Sequence, residues 1–160
     1  MDTNKNYDHQ FTKVYKKVKS NKTIKPLEKL ILSEIISYQL QGKFFYMTNK
    51  SIGLEFGCSA KQAQTAMSRL DTYLDKQYYH PLNKESGKVV KRRKVLLSNL
   101  SEFVPPEILL DLKIDFKQYK NSQDFYNWGI KTFGDEKLLE IFLNNNDSLV
   151  DYVSSLKKNN

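Results

Sequence analysis

Between Ser59 and Arg69 the chain reads SAKQAQTAMSR, and its polar side chains are amides, hydroxyls and cations, with no carboxylate before Asp71. That set suits contact rather than reaction. Amides and cations can pair with base edges in a major groove, and hydroxyls and cations can meet the phosphates beside them. At about 100° per residue, Lys61, Thr65, Ser68 and Thr72 share one face of a helix, with Gln62 and Arg69 on one flank and Gln64 on the other. A second set of cations follows at Lys91, Arg92, Arg93 and Lys94, preceded by Lys84 and Lys88. Four adjacent positive charges repel one another, and a polyanion would relieve that. A third set, Lys13, Lys16 and Lys17, belongs to FTKVYKKVKSNKTIK, which has six lysines in fifteen residues. These could lie along a DNA backbone or simply form a solvated edge.

Residues for other chemistry are sparse. The two histidines, His9 and His80, have no cysteine or carboxylate cluster at ligand spacing, so no metal is expected. SIGLEFGCSAK lacks the Gly-Lys-Ser/Thr ending of a phosphate-binding loop. The lone cysteine, Cys58, excludes an internal disulfide and reads as a small apolar residue in a turn. Asp111, Asp115, Asp124, Asp135, Glu136 and Glu140 are scattered at expected helix starts and on exposed faces, where capping and solvation explain them. The expectation is a binding protein, neither an enzyme nor a carrier of a cofactor.

The elements that must position these side chains are legible around them. Thr48 can cap a helix over Asn49–Phe56, with Ile52 and Phe56 facing inward, and Gly53 allows a second helix to cross closely. Gly57-Cys58-Ser59 is the turn, and Ser59 caps a second helix. The inward stripe of that helix is Ala60, Ala63, Met67, Leu70 and Leu74, with Ala66 at its edge. Upstream, Pro26, Glu28 and Gly42 bracket a helix over residues 26–41 that is apolar around most of its circumference. Phe44–Met47 reads as a short strand. Downstream, Tyr78 and Tyr79 open one strand, Asn83–Lys88 form a polar loop, and Val89–Leu97 return, so Lys91 to Lys94 make both faces of the hairpin positive. Phe11, Val14 and Val18 fit a short helix, and Val14, Tyr15 and Val18 equally fit an extended segment.

The order helix, short strand, helix-turn-helix, hairpin predicts a mainly α protein with a small β-hairpin: a winged helix-turn-helix followed by a small helical module. Pro105-Pro106 marks a boundary within residues 98–106. The division is a basic arm (1–24), a DNA-binding domain (25–99) and an oligomerisation or partner-binding module (100–160). In the last part, EILLDLKIDF begins a helical stretch, Ser122 caps a helix ended by Gly134, Asp135 starts another, and Leu149, Val153 and Leu156 share a face of a fourth. So short a module cannot bury a core alone and must pack on the first domain, on a second copy or on a partner.

The formal charge of +8 over 160 residues is segregated. Residues 1–100 hold 19 Lys and Arg against 8 Asp and Glu, and residues 101–160 hold 7 against 10. A lysine-rich proteome would explain the lysines but not their segregation, which suits a nucleic-acid-binding part followed by something else. No stretch approaches the roughly 18 apolar residues of a membrane span, and a cytoplasmic location is expected.

FTKVYKKV, PLEKLILSEII, FYMTNKSIGLEFGCSAKQAQTAMSRL and a basic hairpin ending KRRKVLLSN, in that succession, resemble the N-terminal winged-helix domain of phage and plasmid replication proteins from low-GC Gram-positive bacteria. The resemblance covers about residues 11–99. It implies origin recognition by Ser59 to Arg69, with Lys91 to Lys94 on flanking phosphates, and a C-terminal part that oligomerises or recruits helicase machinery, here through Phe125 and Trp128. The C-terminal segment departs from those proteins in being short. Three roles stay open: initiation of replication, repression of a mobile element as a homodimer, and inhibition of a host enzyme such as a CRISPR nuclease through residues 100–160.

Overall fold

Pro26 opens helix α2 (Pro26–Leu40), where its missing N–H removes a donor that would have no helical partner. The Glu28 carboxylate turns back to accept from the Lys25 N–H at 2.8 Å. Ile31, Leu32, Ile35 and Ile36 are all fully buried, so α2 serves as the shaft around which the other elements pack. The structure, a computed structural model, describes residues 13–119 and 121–145. His9, Phe11 and the expected helix with Leu149, Val153 and Leu156 lie outside them.

Residues 16–19 take the helical alternative as a single turn, α1 (Lys16–Lys19), held on α2 by the buried Val18. Helices α3 (Asn49–Phe56) and α4 (Ala60–Arg69) follow as expected. Thr48 Oγ1 accepts from the Ser51 N–H, and Gly57, with φ of 69°, ends α3. A Cβ on Gly53 would stand 2.5 Å from the Cys58 carbonyl oxygen, so the chain can cross there only without one. Ala63, Ala66, Met67 and Leu70 face the core, whereas Ala60 is exposed.

Helix α4 is shorter than its apolar stripe suggests. A 3₁₀ turn at Asp71–Tyr73 redirects the chain, and Leu74 becomes the first residue of strand β1 (Leu74–Tyr79) rather than the last of the stripe. Thr72 thereby leaves the outward face of the helix. Strand β1 pairs antiparallel with β2 (Arg92–Leu97), from Leu74 opposite Leu97 to Tyr79 opposite Arg92. The expected return strand from Val89 is interrupted. Leu82 and Val89 form an isolated bridge, and between it and β2 the Val90 N–H donates to the carbonyl of Pro81, which has no N–H to return. The expected strand over Phe44–Met47 shrinks to one residue, Phe45, which exchanges two backbone hydrogen bonds with Val95 (3.0 and 2.9 Å) before Thr48 turns the chain into α3.

Residues 98–119 and 121–145 pack on this assembly. Within residues 98–106, Leu100, Phe103 and Val104 are buried in the core, while Ser98, Glu102, Pro105 and Pro106 are exposed. Helix α5 (Pro106–Leu110) is brief, because Leu112, Ile114 and Phe116 alternate with Lys113, Asp115 and Lys117 in an extended rhythm that turns only at Phe116–Gln118. Helix α6 (Ser122–Phe133) is capped by Asn121, not Ser122, and α7 (Glu136–Asn144) by Asp135. A buried polar junction ties α6 to α2 and β2. The Gln39 side-chain oxygen accepts from the Leu97 N–H (2.7 Å), its amide donates to Thr132 Oγ1 (3.2 Å), and the Trp128 indole donates to the Gln39 carbonyl (2.8 Å). Phe125 and Trp128, expected to meet a partner, are fully buried here and cannot present themselves to one. Among the described residues, no helix is long and apolar enough to cross a membrane.

Candidate nucleic-acid interface

Local backbone satisfaction decides which polar atoms of α4 remain available. The Ser59 hydroxyl accepts from the Gln62 N–H (3.0 Å), and the Gln62 side-chain oxygen accepts from the Ser59 N–H (2.8 Å), a reciprocal capping box. Ser59 and Gln62 are exposed; their oxygens are engaged as acceptors, while the Ser59 hydroxyl and the Gln62 amide keep their donors. Thr65 donates its hydroxyl to the Lys61 carbonyl at 3.0 Å and keeps only acceptor capacity. Lys61, Gln64, Ser68 and Arg69 are exposed, and among the described residues their side chains make no hydrogen bond.

These side chains face two different concavities. Gln64 looks toward the hairpin across a groove of about 310 Å³, whose walls are Thr48 and Asn49 at the start of α3 and Tyr78, Lys91, Arg92 and Arg93 on the hairpin. No carboxylate lines it. The N-terminus of α3 adds its positive dipole end to the same groove. Lys61, Gln62, Thr65 and Arg69 border a second concavity of about 380 Å³, against Lys25, Leu27 and Glu28 at the start of α2.

The four adjacent cations of the hairpin are not equivalent. Lys91 and Arg92 are exposed, and Lys91 Nζ lies 4.4 Å from the centre of the Tyr78 ring. Arg93 is half-buried, and its Nη2 donates to the Met47 carbonyl (2.8 Å) and to Asn49 Oδ1 (3.1 Å). Desolvation lowers its pKa below the ordinary arginine value, and the neighbouring Tyr78 acts in the opposite direction. Lys94 turns to the opposite side, where it pairs with Asp124 at 3.1 Å and stands 4.9 Å over the Phe44 ring. Of the run expected to be positive on both faces, two members are therefore engaged by partners within the molecule. Lys84 and Lys88 are exposed on the loop, which is closed by the Asn83 N–H to Lys88 carbonyl bond at 2.8 Å.

Lys13, Lys16 and Lys17 are exposed. Lys13 lies beside Ser37 and Gln41 at the far end of α2 from the Lys61–Arg69 flank, about 20 Å along the axis. Lys29 fastens the segment further by donating to the Lys19 carbonyl at 2.5 Å.

The chain has no match among family models, curated proteins or solved structures. The site must therefore be judged on its own residues. Among the described residues, no group of three or more His, Cys, Asp or Glu side chains could hold a metal. Sequence reasoning missed Thr48, Asn49 and Tyr78 as walls of the groove. The signal for Tyr78 was available, since strand alternation places Tyr78 and Tyr79 on opposite faces of the hairpin.

Proposed function

We propose that this chain binds double-stranded DNA as a winged helix-turn-helix protein, with α4 in the major groove and the hairpin as its wing, and that it does so without catalysis. The observation that carries this reading is the groove shared by Gln64, the start of α3 and Lys91 to Arg93, which has cationic walls and no carboxylate. A phosphate seated there would lie beside a helix N-terminus and two exposed cations, while Lys61, Gln64, Ser68 and Arg69 face the bases. With Arg93 and Lys94 engaged within the molecule and Lys61 and Arg69 turned to the bases, the exposed hairpin cations Lys84, Lys88, Lys91 and Arg92 remain for phosphates. If all four meet phosphates, they contribute about −4 to the slope of log affinity against log salt.

The resemblance to phage and plasmid replication proteins supports initiation of replication as the setting. Fluorescence-polarisation titration of the whole chain against tiled duplexes from its gene and upstream region, with scrambled controls, tests both parts. A tile preferred by ~10³-fold at physiological salt supports specific recognition. Several occupied repeats favour an origin, and a single palindrome bound by a homodimer favours repression. Equal, weak binding of every tile removes sequence recognition, and the search then turns to a protein partner of residues 100–160.

A further inference from the structure

Tyr46 and Tyr79 stand at the root of the hairpin with their rings edge to face, 6.5 Å between centroids, and are 52% and 40% exposed. They line a concavity of about 650 Å³ between the hairpin and the start of α6, completed by Phe44, Lys43, Lys94 and Asp124. Its volume is about twice that of the groove between α4 and the hairpin, and the two meet at Tyr46. Alternation along β1 sends Tyr78 into the first groove and Tyr79 into the second.

Half-exposed rings beside cations in a concave wall match the physics of single-strand recognition, in which bases stack on aromatic faces and the backbone follows positive charge. Here the lining cations are Lys43, which is exposed, and Lys94. Asp124 offsets the charge of Lys94, and its carboxylate adds an acceptor suited to the N–H groups of a base edge. Bases inside a duplex already stack on one another and cannot offer their faces to Tyr46 or Tyr79. An unpaired base can.

We infer that this concavity binds unpaired bases of a single-stranded segment leaving the duplex held by α4 and the hairpin, with Tyr46 and Tyr79 as the stacking rings. The inference rests on the duplex-binding reading for the direction from which the strand arrives. The ligand is thus a junction between duplex and single strand.

The test is polarisation titration of the whole chain with four probes: a blunt duplex, the same duplex with a hexathymidine tail at either end of one strand, the same with six abasic sites as tail, and oligothymidine alone. One stacked base should tighten the thymidine-tailed duplex by roughly 5- to 150-fold over the blunt one. The abasic tail, which keeps the phosphates, should give no such gain. Tyr79→Phe should retain the gain and Tyr79→Leu should lose it. A tail carrying 5-iodouracil, photocrosslinked to the unmutated chain, should attach to Tyr46 or Tyr79, which keeps the test open even where Tyr79→Leu does not fold.

The inference is overturned if neither tail tightens binding, if the abasic tail does so equally, if folded Tyr79→Leu keeps the gain, or if the crosslink falls elsewhere. A blunt duplex that binds, with no gain from tails, removes the base site and leaves the duplex reading standing. Tyr79-dependent binding of oligothymidine with no binding of the blunt duplex removes the duplex reading and leaves the base site.

Discussion

Replacing Arg93 with alanine should act on the fold, and replacing its neighbour Arg92 should act on DNA. The Arg93 guanidinium joins the hairpin to the entrance of α3 through its bonds to the Met47 carbonyl and Asn49 Oδ1. A hydrogen bond to a charged group contributes about 1.5–3 kcal/mol when well buried. At this half-buried site water can replace part of what is lost, so the two bonds together should amount to ~2 kcal/mol. For a chain of this size that corresponds to a fall in Tm of roughly 4–8 °C. Arg92→Ala, at an exposed position, should leave Tm within about 1 °C. In titrations against salt, Arg92→Ala should reduce the magnitude of the slope by about 0.9, and Arg93→Ala should leave it unchanged while binding weakens through a displaced hairpin. Arg93→Lys should recover only part of the lost stability, because the lysine ammonium ends one bond short of Nη2, the nitrogen that meets both acceptors. If Arg93→Ala melts like the parent and lowers the slope as Arg92→Ala does, Arg93 is a phosphate ligand and its bracing role is wrong.

Three further outcomes follow from the packing. Gln39→Ala should cost about 1–3 kcal/mol, since it leaves the buried Leu97 N–H without its acceptor and Thr132 without its donor; an unchanged melting curve would contradict the junction. Gly53→Ala should destabilise by ~2 kcal/mol or more through the Cys58 carbonyl, and Gly57→Ala by only ~1 kcal/mol, because its Cβ meets no atom within 4 Å and only the left-handed backbone resists it; the reverse order in chemical denaturation would refute the close crossing. Burial raises the pKa of Tyr38 and Tyr46 above the ordinary 10.0, with Glu34 and Glu55 adding to the first and Tyr79 and Asp124 to the second. The folded chain then keeps these protons where the unfolded chain has lost them, so this contribution is intact below pH 10.0 and lost as pH rises through the folded values. Tm measured upward from pH 8 should fall beyond pH 10, and the double change of Tyr38 and Tyr46 to Phe should flatten that fall.

Local physics accounts for what could be read in advance. Thr48, Gly57 and Ser59 act within three or four residues of themselves, and the two helices they bound appear over residues 49–56 and 60–69. The shortfalls arise where distant partners decide. Leu74 fits the helical stripe by spacing, yet the chain turns at Asp71–Tyr73 so that β1 can pair with β2. The division of the four hairpin cations was equally out of reach, because Arg93 finds its acceptors 44 and 46 residues earlier and Lys94 its carboxylate 30 residues later. A run of like charges in sequence therefore does not define a run of available charges in space. Lys91, Arg92 and Arg93 line the groove beside α4 and Lys94 the concavity beside α6, and each cation is then engaged or left free by elements that arrive from elsewhere in the chain. Here the face turned toward α4 retains exposed cations and the face turned toward α6 acquires Asp124, so the hairpin presents a cationic wall on one side and a mixed, aromatic wall on the other. That asymmetry is the physical reason to assign duplex DNA to the first wall and unpaired bases to the second.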